Sequence, residues 1–336
     1  MTPLERLRER LVREGIEQAV LSHPETLAHL AGFEQPFEDW PVSDPFTAAP
    51  PLLVLGPTDA VLVVPTFYAG RAEGCALPVV VSRSHAFAGT PPDAPAELER
   101  TLAPIDGLVV EARRHKLPVE IEAIRRASRL ADTVQRAVKA AAAPGLTEAE
   151  LAGLAQAAMN REAGRRVPAV ITVTAGEATG TGGDVAGSRE LRHGDLVLTD
   201  ASPWFGGAWS DTANAVVVGE PSAEHRRIFD AVRRALELAI ELCRPGAVAG
   251  EVDRAVRDSL AAWGDTYGHH TGHGIGAAWS EPPLLIPGSE ERIDEGMVLA
   301  VEPAIYRPGW GGIRLEHVFA VRGSGNEILT EFEHTL

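Results

Sequence analysis

Cysteine, methionine and aromatic residues are scarce in this chain of 336 residues: two Cys, three Met and 5% aromatics. Two cysteines, Cys75 and Cys243, cannot build a disulfide framework, so both are expected as reduced thiols of a cytoplasmic protein. Basic charge is also short, with 31 Lys and Arg against 47 Asp and Glu and a formal net charge of -16. Phosphate affinity rests on cationic side chains, so this balance argues against nucleic acid as a partner. No apolar run is long enough to span a bilayer, and the opening MTPLERLRERLVR has no apolar signal core, so no membrane partner is expected. Histidine is missing altogether between His115 and His193.

What remains is ordinary globular material, 45% hydrophobic and 23% charged. At about 150 residues per domain the length suggests two domains. Up to His115 short apolar runs alternate with helical patterns, an α/β signature. Leu4 to Val12 has the spacing of an amphipathic helix. Ala19 to Leu21, Leu52 to Leu55, Val61 to Val64, Val79 to Val81 and Gly107 to Val110 have the look of strands. Between them lies a long loop, Gln35 to Pro51, rich in proline, acids and aromatics. Val119 to Ala142 is expected as one alanine-rich helix behind a proline, and Thr147 with Glu150 forms a capping box for the next. The boundary falls near residue 116, giving domains 1–116 and 117–336.

The second domain repeats itself. Pro144-Gly145 followed by Glu150-Leu151 recurs as Pro245-Gly246 followed by Glu251-Val252. Gly194 to Asp200 (GDLVLTD) likewise matches Gly296 to Glu302 (GMVLAVE). Both pairs are offset by about a hundred residues, too long for a solenoid, which points to a pseudo-symmetric domain of two halves.

Each half ends in paired acids. Asp200 and Asp211 flank a turn near Gly206, and Glu302 and Glu316 flank one at Gly309. In an antiparallel hairpin, residues equidistant from the turn face each other, so each hairpin is expected to oppose two carboxylates. Opposed like charges are destabilising, and a pair of divalent cations is the natural counter-charge. His273, in Gly272-His-Gly-Ile-Gly276, is the candidate fifth ligand. Four carboxylates and one imidazole suit Mn, Zn or Co, and two such ions can share a hydroxide nucleophile. Each residue alone also reads as a solvated turn acid or a core histidine; the repeat-related set is what points to metal.

The ordered set Asp200, Asp211, His273, Glu302 and Glu316 resembles the metal ligands of the pita-bread metallopeptidases, the family of methionine aminopeptidase, aminopeptidase P and Xaa-Pro dipeptidase. The resemblance covers nearly the whole chain and is nearest to the proline-specific branch. It implies an α/β (α+β) fold: a small creatinase-type N-terminal domain followed by a pseudo-symmetric pita-bread catalytic domain. It implies two divalent ions bridged by Asp211 and Glu316. Asp200 would hold one and His273 and Glu302 the other, with Glu302 taking the proton of the attacking water. It implies a short peptide as substrate, a cytoplasmic enzyme and a homodimer.

The sequence departs from that pattern in its outer histidines. The position of the first falls near Gly183 and that of the second at Ser280, and the resemblance implies a substrate-binding role at both. Losing hydrogen-bond donors where charge develops ordinarily costs catalysis heavily. His269 stands where aminopeptidase P has a histidine; with the weaker candidate His270 it is read either as a replacement donor or as a polar pair near a turn. Arg314 either orients Glu316, binds a substrate carboxylate or only neutralises the acids. Asp39 and Trp40 either cap a neighbouring subunit's site or are a solvated acid beside a packed aromatic. Trp279 is expected to pack in the interior, with pocket lining as the other reading.

Three functions follow. The first is a metal exopeptidase of the Xaa-Pro dipeptidase or aminopeptidase P type. The second is a carboxypeptidase-like enzyme on the same scaffold, with Arg314 or Arg307 gripping a terminal carboxylate. The third is a non-catalytic binding homologue, with a metal-free creatinase-like C–N hydrolase as an outside option.

Overall fold

The computed structural model describes residues 1–34, 51–65, 72–82, 106–182, 185–264 and 266–336. These fall into two compact units: residues 1–113 with the Gly206–Ala208 turn, and residues 114–205 with 209–336. Among the described residues no helix is long and apolar enough to cross a membrane.

In the first unit, α1 (Pro3–Arg13) starts at Thr2, whose hydroxyl accepts the Glu5 N–H while Glu5 accepts the Thr2 N–H. Leu4, Leu7 and Leu11 form its buried stripe, and the intervening Arg6, Arg8 and Arg10 are half-buried. The strands β1 (Ala19–Leu21), β2 (Leu52–Leu55), β3 (Ala60–Pro65) and β4 (Val79–Ser82) make one sheet in that order. The first two pairings are antiparallel and the third is parallel. With α2 (Pro24–Ala31), the sheet closes a core around Leu7, Leu27, Phe33, Leu53 and Leu62.

One expectation is corrected here. Gly107 to Val110 is not a strand but part of α3 (Asp106–Arg114). Buried Val109, Ala112 and Arg113 stand three and four apart, a helical spacing, and Glu111 between them is exposed.

In the second unit, α4 (Pro118–Ala141) and α5 (Glu148–Ala163) precede the antiparallel strands β5 (Ala169–Ala175), β6 (Leu196–Phe205), β7 (Ala208–Trp209) and β8 (Thr212–Val217). Helices α6 (Ala223–Leu242) and α7 (Ala249–Ser259) follow, then β9 (Gly272–Gly274), β10 (Glu281–Leu285) and β11 (Val298–Val301). A hairpin of β12 (Ala304–Arg307) and β13 (Gly311–Arg314) comes next, and β14 (His317–Ala320) and β15 (Glu327–Ile328) end the chain. The second sheet runs β10-β9-β11-β14-β15.

The internal repeat survives to the level of single hydrogen bonds. Gly145 N–H donates to Leu191 O at 3.0 Å, and Gly246 N–H donates to Ile293 O at 2.8 Å. Thr147 bridges to Glu190 as Val248 bridges to Arg292. Gly145 and Gly246 hold φ of 91° and 88°, a left-handed turn that lets each chain leave its helix and meet the strand entry of its own half. The halves differ in capping: Thr147 caps α5 through the expected box with Glu150, whereas Val248 has no capping side chain.

Candidate metal centre

Asp200 lies on β6, where Ala213 and Thr172 flank it on the neighbouring strands. Asp211 does not face it directly. Ala201 pairs with Thr212, so Asp211 stands across from Ser202, whose hydroxyl donates to Asp211 Oδ1 at 2.8 Å. The turn pivots between Gly206 and Gly207, at φ of 62° and 77°, one residue later than expected. The resulting slip is two residues, which keeps both acids on one face of the sheet.

The second hairpin has the expected centre. Val301 pairs with His317 and Ala304 with Arg314, the same register on both sides, so Glu302 and Glu316 lie across from one another. Neither spends its N–H on the other. Glu302 donates to Thr271 O at 2.8 Å and Glu316 to Ala213 O at 3.0 Å, which ties the second hairpin to β8 and to the segment before β9.

His273 occupies the middle of β9, between Ala300 and Leu284. A Cβ on Gly272 would meet Ala300 O at 2.3 Å, and one on Gly274 would meet Pro282 O at 2.5 Å. Glycine therefore lets three strands close around the imidazole. Its Nδ1 lies 2.8 Å from Gly274 O, a bond that makes Nδ1 the donor and leaves the Nε2 lone pair free. Nε2 lies 4.0 Å from Asp211 and 3.8 Å from Glu302. Two overlapping groups result, Asp211–His273–Glu316 and His270–His273–Glu302, each with its ligand atoms within 4.8 Å of one another.

The electrostatics separate the acids. Burial, then repulsion from neighbouring acids, pushes Asp211 and Glu316 well above the usual carboxylate range. Burial alone would raise Glu302 too, but the His270 hydrogen bond and the Arg314 charge hold it down to about 2. Burial lowers His273, favouring the neutral imidazole that a cation needs. Both carboxylate oxygens of Glu316 are buried and without a hydrogen-bond partner among the described residues. Such an acid is a site short of positive charge, and the mixed oxygen and nitrogen donor set fits borderline divalent cations.

Arg314 organises the flank of this cluster. It donates through Nη2 to Asp200, and through Nη1 to the Tyr306 hydroxyl at 2.8 Å and to Gly182 O. His269 Nε2 reaches the same hydroxyl at 3.1 Å, and its Nδ1 lies 3.8 Å from Glu302. Tyr306 was not singled out in the sequence. Its signal was the alternation 302, 304, 306 along the hairpin, which puts it on the Glu302 face.

The remaining candidates divide. Trp279 does not pack inside: it is 42% exposed, and its indole donates to Asp211 Oδ2 at 2.5 Å while stacking on Trp209. The loop after β9 turns its ring toward the acids, so an aromatic expected in the core serves as a hydrogen-bond donor. Ser280 is exposed. Arg307 is engaged by Glu224 at 2.6 Å. Asp39, Trp40 and Gly183 lie outside the described residues.

Residues 122–323 match the model of metallopeptidase family M24. The chain belongs to that family. Among M24 relatives, the Xaa-Pro dipeptidase of Pyrococcus furiosus is 32% identical over 69% of this chain and 67% of its own length. The probable dipeptidase PepE of Mycobacterium tuberculosis is 35% identical over 67% of this chain and 60% of its own. The chain thus spans about two thirds of the length of the curated M24 relatives it matches. In fold it is similar to the prolidase of Pyrococcus horikoshii OT3, at a TM-score of 0.81 and 23% identity over 99% of both chains. The mixed α/β pita-bread architecture is the one the resemblance implied.

Proposed function

We propose that this M24 member is a dinuclear metal-dependent exopeptidase acting on short peptides, of the Xaa-Pro dipeptidase or aminopeptidase P type. The observation that carries this reading is Glu316, buried with both oxygens bare beside Asp211 and His273. Asp200, Asp211, His273, Glu302 and Glu316 are the residues to hold the ions, with Asp211 and Glu316 shared and Mn, Zn or Co as the candidates. Bound dications would supply Lewis acidity, lowering the pKa of a water that attacks the peptide carbonyl. Glu302 would accept the proton from that water, and the His270 hydrogen bond and the Arg314 charge beside it keep it in the ionised form that this requires. His269 and the Tyr306 hydroxyl stand together on the Glu302 side, bonded to one another, and either would donate to the carbonyl oxygen by exchanging that bond for one to substrate. Residues 1–116 are read as the creatinase-type domain and 117–336 as the catalytic one, in a cytoplasmic homodimer.

The carboxypeptidase-like alternative needs an arginine for a terminal carboxylate. Arg307 is bound to Glu224, and Arg314 to Asp200, so both candidates are already paired. A binding homologue has no use for a bare buried acid. The test is a peptide panel read by mass spectrometry after reconstitution with each metal. Two bound dications and release of an N-terminal residue from Xaa-Pro peptides are expected, with Asp211→Ala losing both. No bound dication, or loss of C-terminal residues only, overturns the proposal.

Arg314→Lys is a sharper probe of the flank. An ammonium is a single point of donation and lacks the planar fork that serves Asp200 through Nη2 and Tyr306 and the Gly182 carbonyl through Nη1. The expected loss is about a hundredfold in kcat/KM, of the size seen for removing a preorganised donor. An unchanged rate in steady-state assays defeats the positioning role.

A further inference from the structure

Glu302 has a second imidazole against it. His270 Nε2 lies 2.7 Å from Glu302 Oε1, and the His270 and His273 rings stand edge to face with centroids 5.0 Å apart. The ligand atoms of His270, His273 and Glu302 all fall within 4.8 Å of one another. We propose that His270 is a metal ligand, so that one cation position is bound by two imidazoles and the Glu302 carboxylate. It rests on the dinuclear reading above and adds a residue to the five ligands named there.

Geometry favours His270 over its neighbour. His269 has its Nε2 taken by the Tyr306 hydroxyl and its Nδ1 at 2.7 Å from the His270 carbonyl. The bond His270 makes is to Glu302, an atom that would share the cation with it. With the two shared acids the ion would have five protein ligands, and bonds near 2.1 Å set adjacent ligand atoms of such an ion about 3.0 Å apart. The 2.7 Å from Glu302 to His270 and the 3.8 Å from Glu302 to His273 bracket that spacing, so small side-chain rotations suffice. The backbone beside His270 is held in place. Thr271 N–H donates to Leu285 O at 2.8 Å, and the buried Thr271 hydroxyl donates to Asp253 at 2.6 Å. The His270 ring itself is half-buried.

The consequence is selectivity. A second imidazole makes this position nitrogen-rich, which favours Zn, Co or Ni over the oxygen-preferring Mn. Zn and Mn affinities of the full chain are to be measured by competition with a chromophoric chelator, in wild type, His270→Gln and His270→Ala. Zn affinity is expected to fall at least about tenfold in both variants, with Mn changed by less than about threefold. His269→Ala is expected to leave Zn binding as it was. Pulsed EPR of the chain loaded with Cu2+ should count two imidazole nitrogens on one ion in wild type and one in His270→Gln. Unchanged Zn affinity, equal losses for Zn and Mn, or a single imidazole in both proteins overturns the assignment. Any of those leaves the wild-type stoichiometry and peptide cleavage standing, so its failure is distinct from failure of the peptidase reading.

Discussion

Glu316→Gln is expected to abolish peptide hydrolysis, by at least about a thousandfold in kcat/KM, while making the metal-free protein more stable. The carboxylate it removes is buried, has no hydrogen-bond partner among the described residues, and repels Asp211. An unsatisfied buried polar group costs about 1–3 kcal/mol and a charged one more, so a gain of that order is expected in the absence of metal. The amide can also donate to the acids it formerly repelled. The pH dependence has a definite sign. Burial and its neighbours raise Glu316 above its unfolded value, so the native state keeps a proton that the unfolded chain has released. Stability from this group is therefore complete below the ordinary glutamate value, about 4.3, and is lost as pH rises through the raised native value. The advantage of the variant should be absent near that lower limit and grow toward neutral pH. Saturating metal reverses the order: wild type gains about 4 kcal/mol at a thousand times Kd, and a variant lacking the Glu316 carboxylate gains little. Denaturant titrations with and without metal at two pH values check this. A variant less stable than wild type at neutral pH without metal defeats it.

That bare glutamate was legible in the sequence, and the reasons show where sequence reading stops. Glu302 and Glu316 face one another because the hairpin has one turn, centred on Gly309 at φ of 73°, and a register without slips. Asp200 and Asp211 were brought to one face but not opposite each other, because two adjacent glycines offer two pivots and only packing selects between them. The repeat was readable since Gly145 and Gly246 need a backbone that other residues rarely adopt. Nothing comparable marked Trp279, whose role depends on where a loop turns, or Gly107 to Val110, a run too short to separate strand from helix. Tyr306 and His270 acquire meaning only through partners on other strands: Arg314 and Glu302 respectively.

A second expected result concerns what holds the loop beside the acids. Lys116→Met should destabilise the protein by about 3–5 kcal/mol, the usual cost of breaking a buried ion pair from one side. Lys116 Nζ donates to Glu281 Oε2 at 2.7 Å, with the two side chains only 3% and 5% exposed. Glu281 also accepts the Ala278 N–H at 2.9 Å, and so fixes the turn that carries Trp279 to Asp211. Gly276 makes room for the lysine, since a Cβ there would meet Lys116 Cε at 2.8 Å. Methionine keeps the stem and removes the charge, leaving the Glu281 carboxylate in the interior without its lysine. The double variant Lys116→Met with Glu281→Gln removes both charges yet retains the acceptor for Ala278. It should recover most of the loss, because the penalty comes from keeping a buried carboxylate after its lysine is gone and not from the absence of attraction. Denaturant midpoints of the two single variants and the double variant separate these terms. Metal affinity at low temperature, where the single Lys116 variant is still folded, should follow the same order. A Lys116→Met protein as stable as wild type, or a double variant no better than the single, would show that this pair does not anchor the loop.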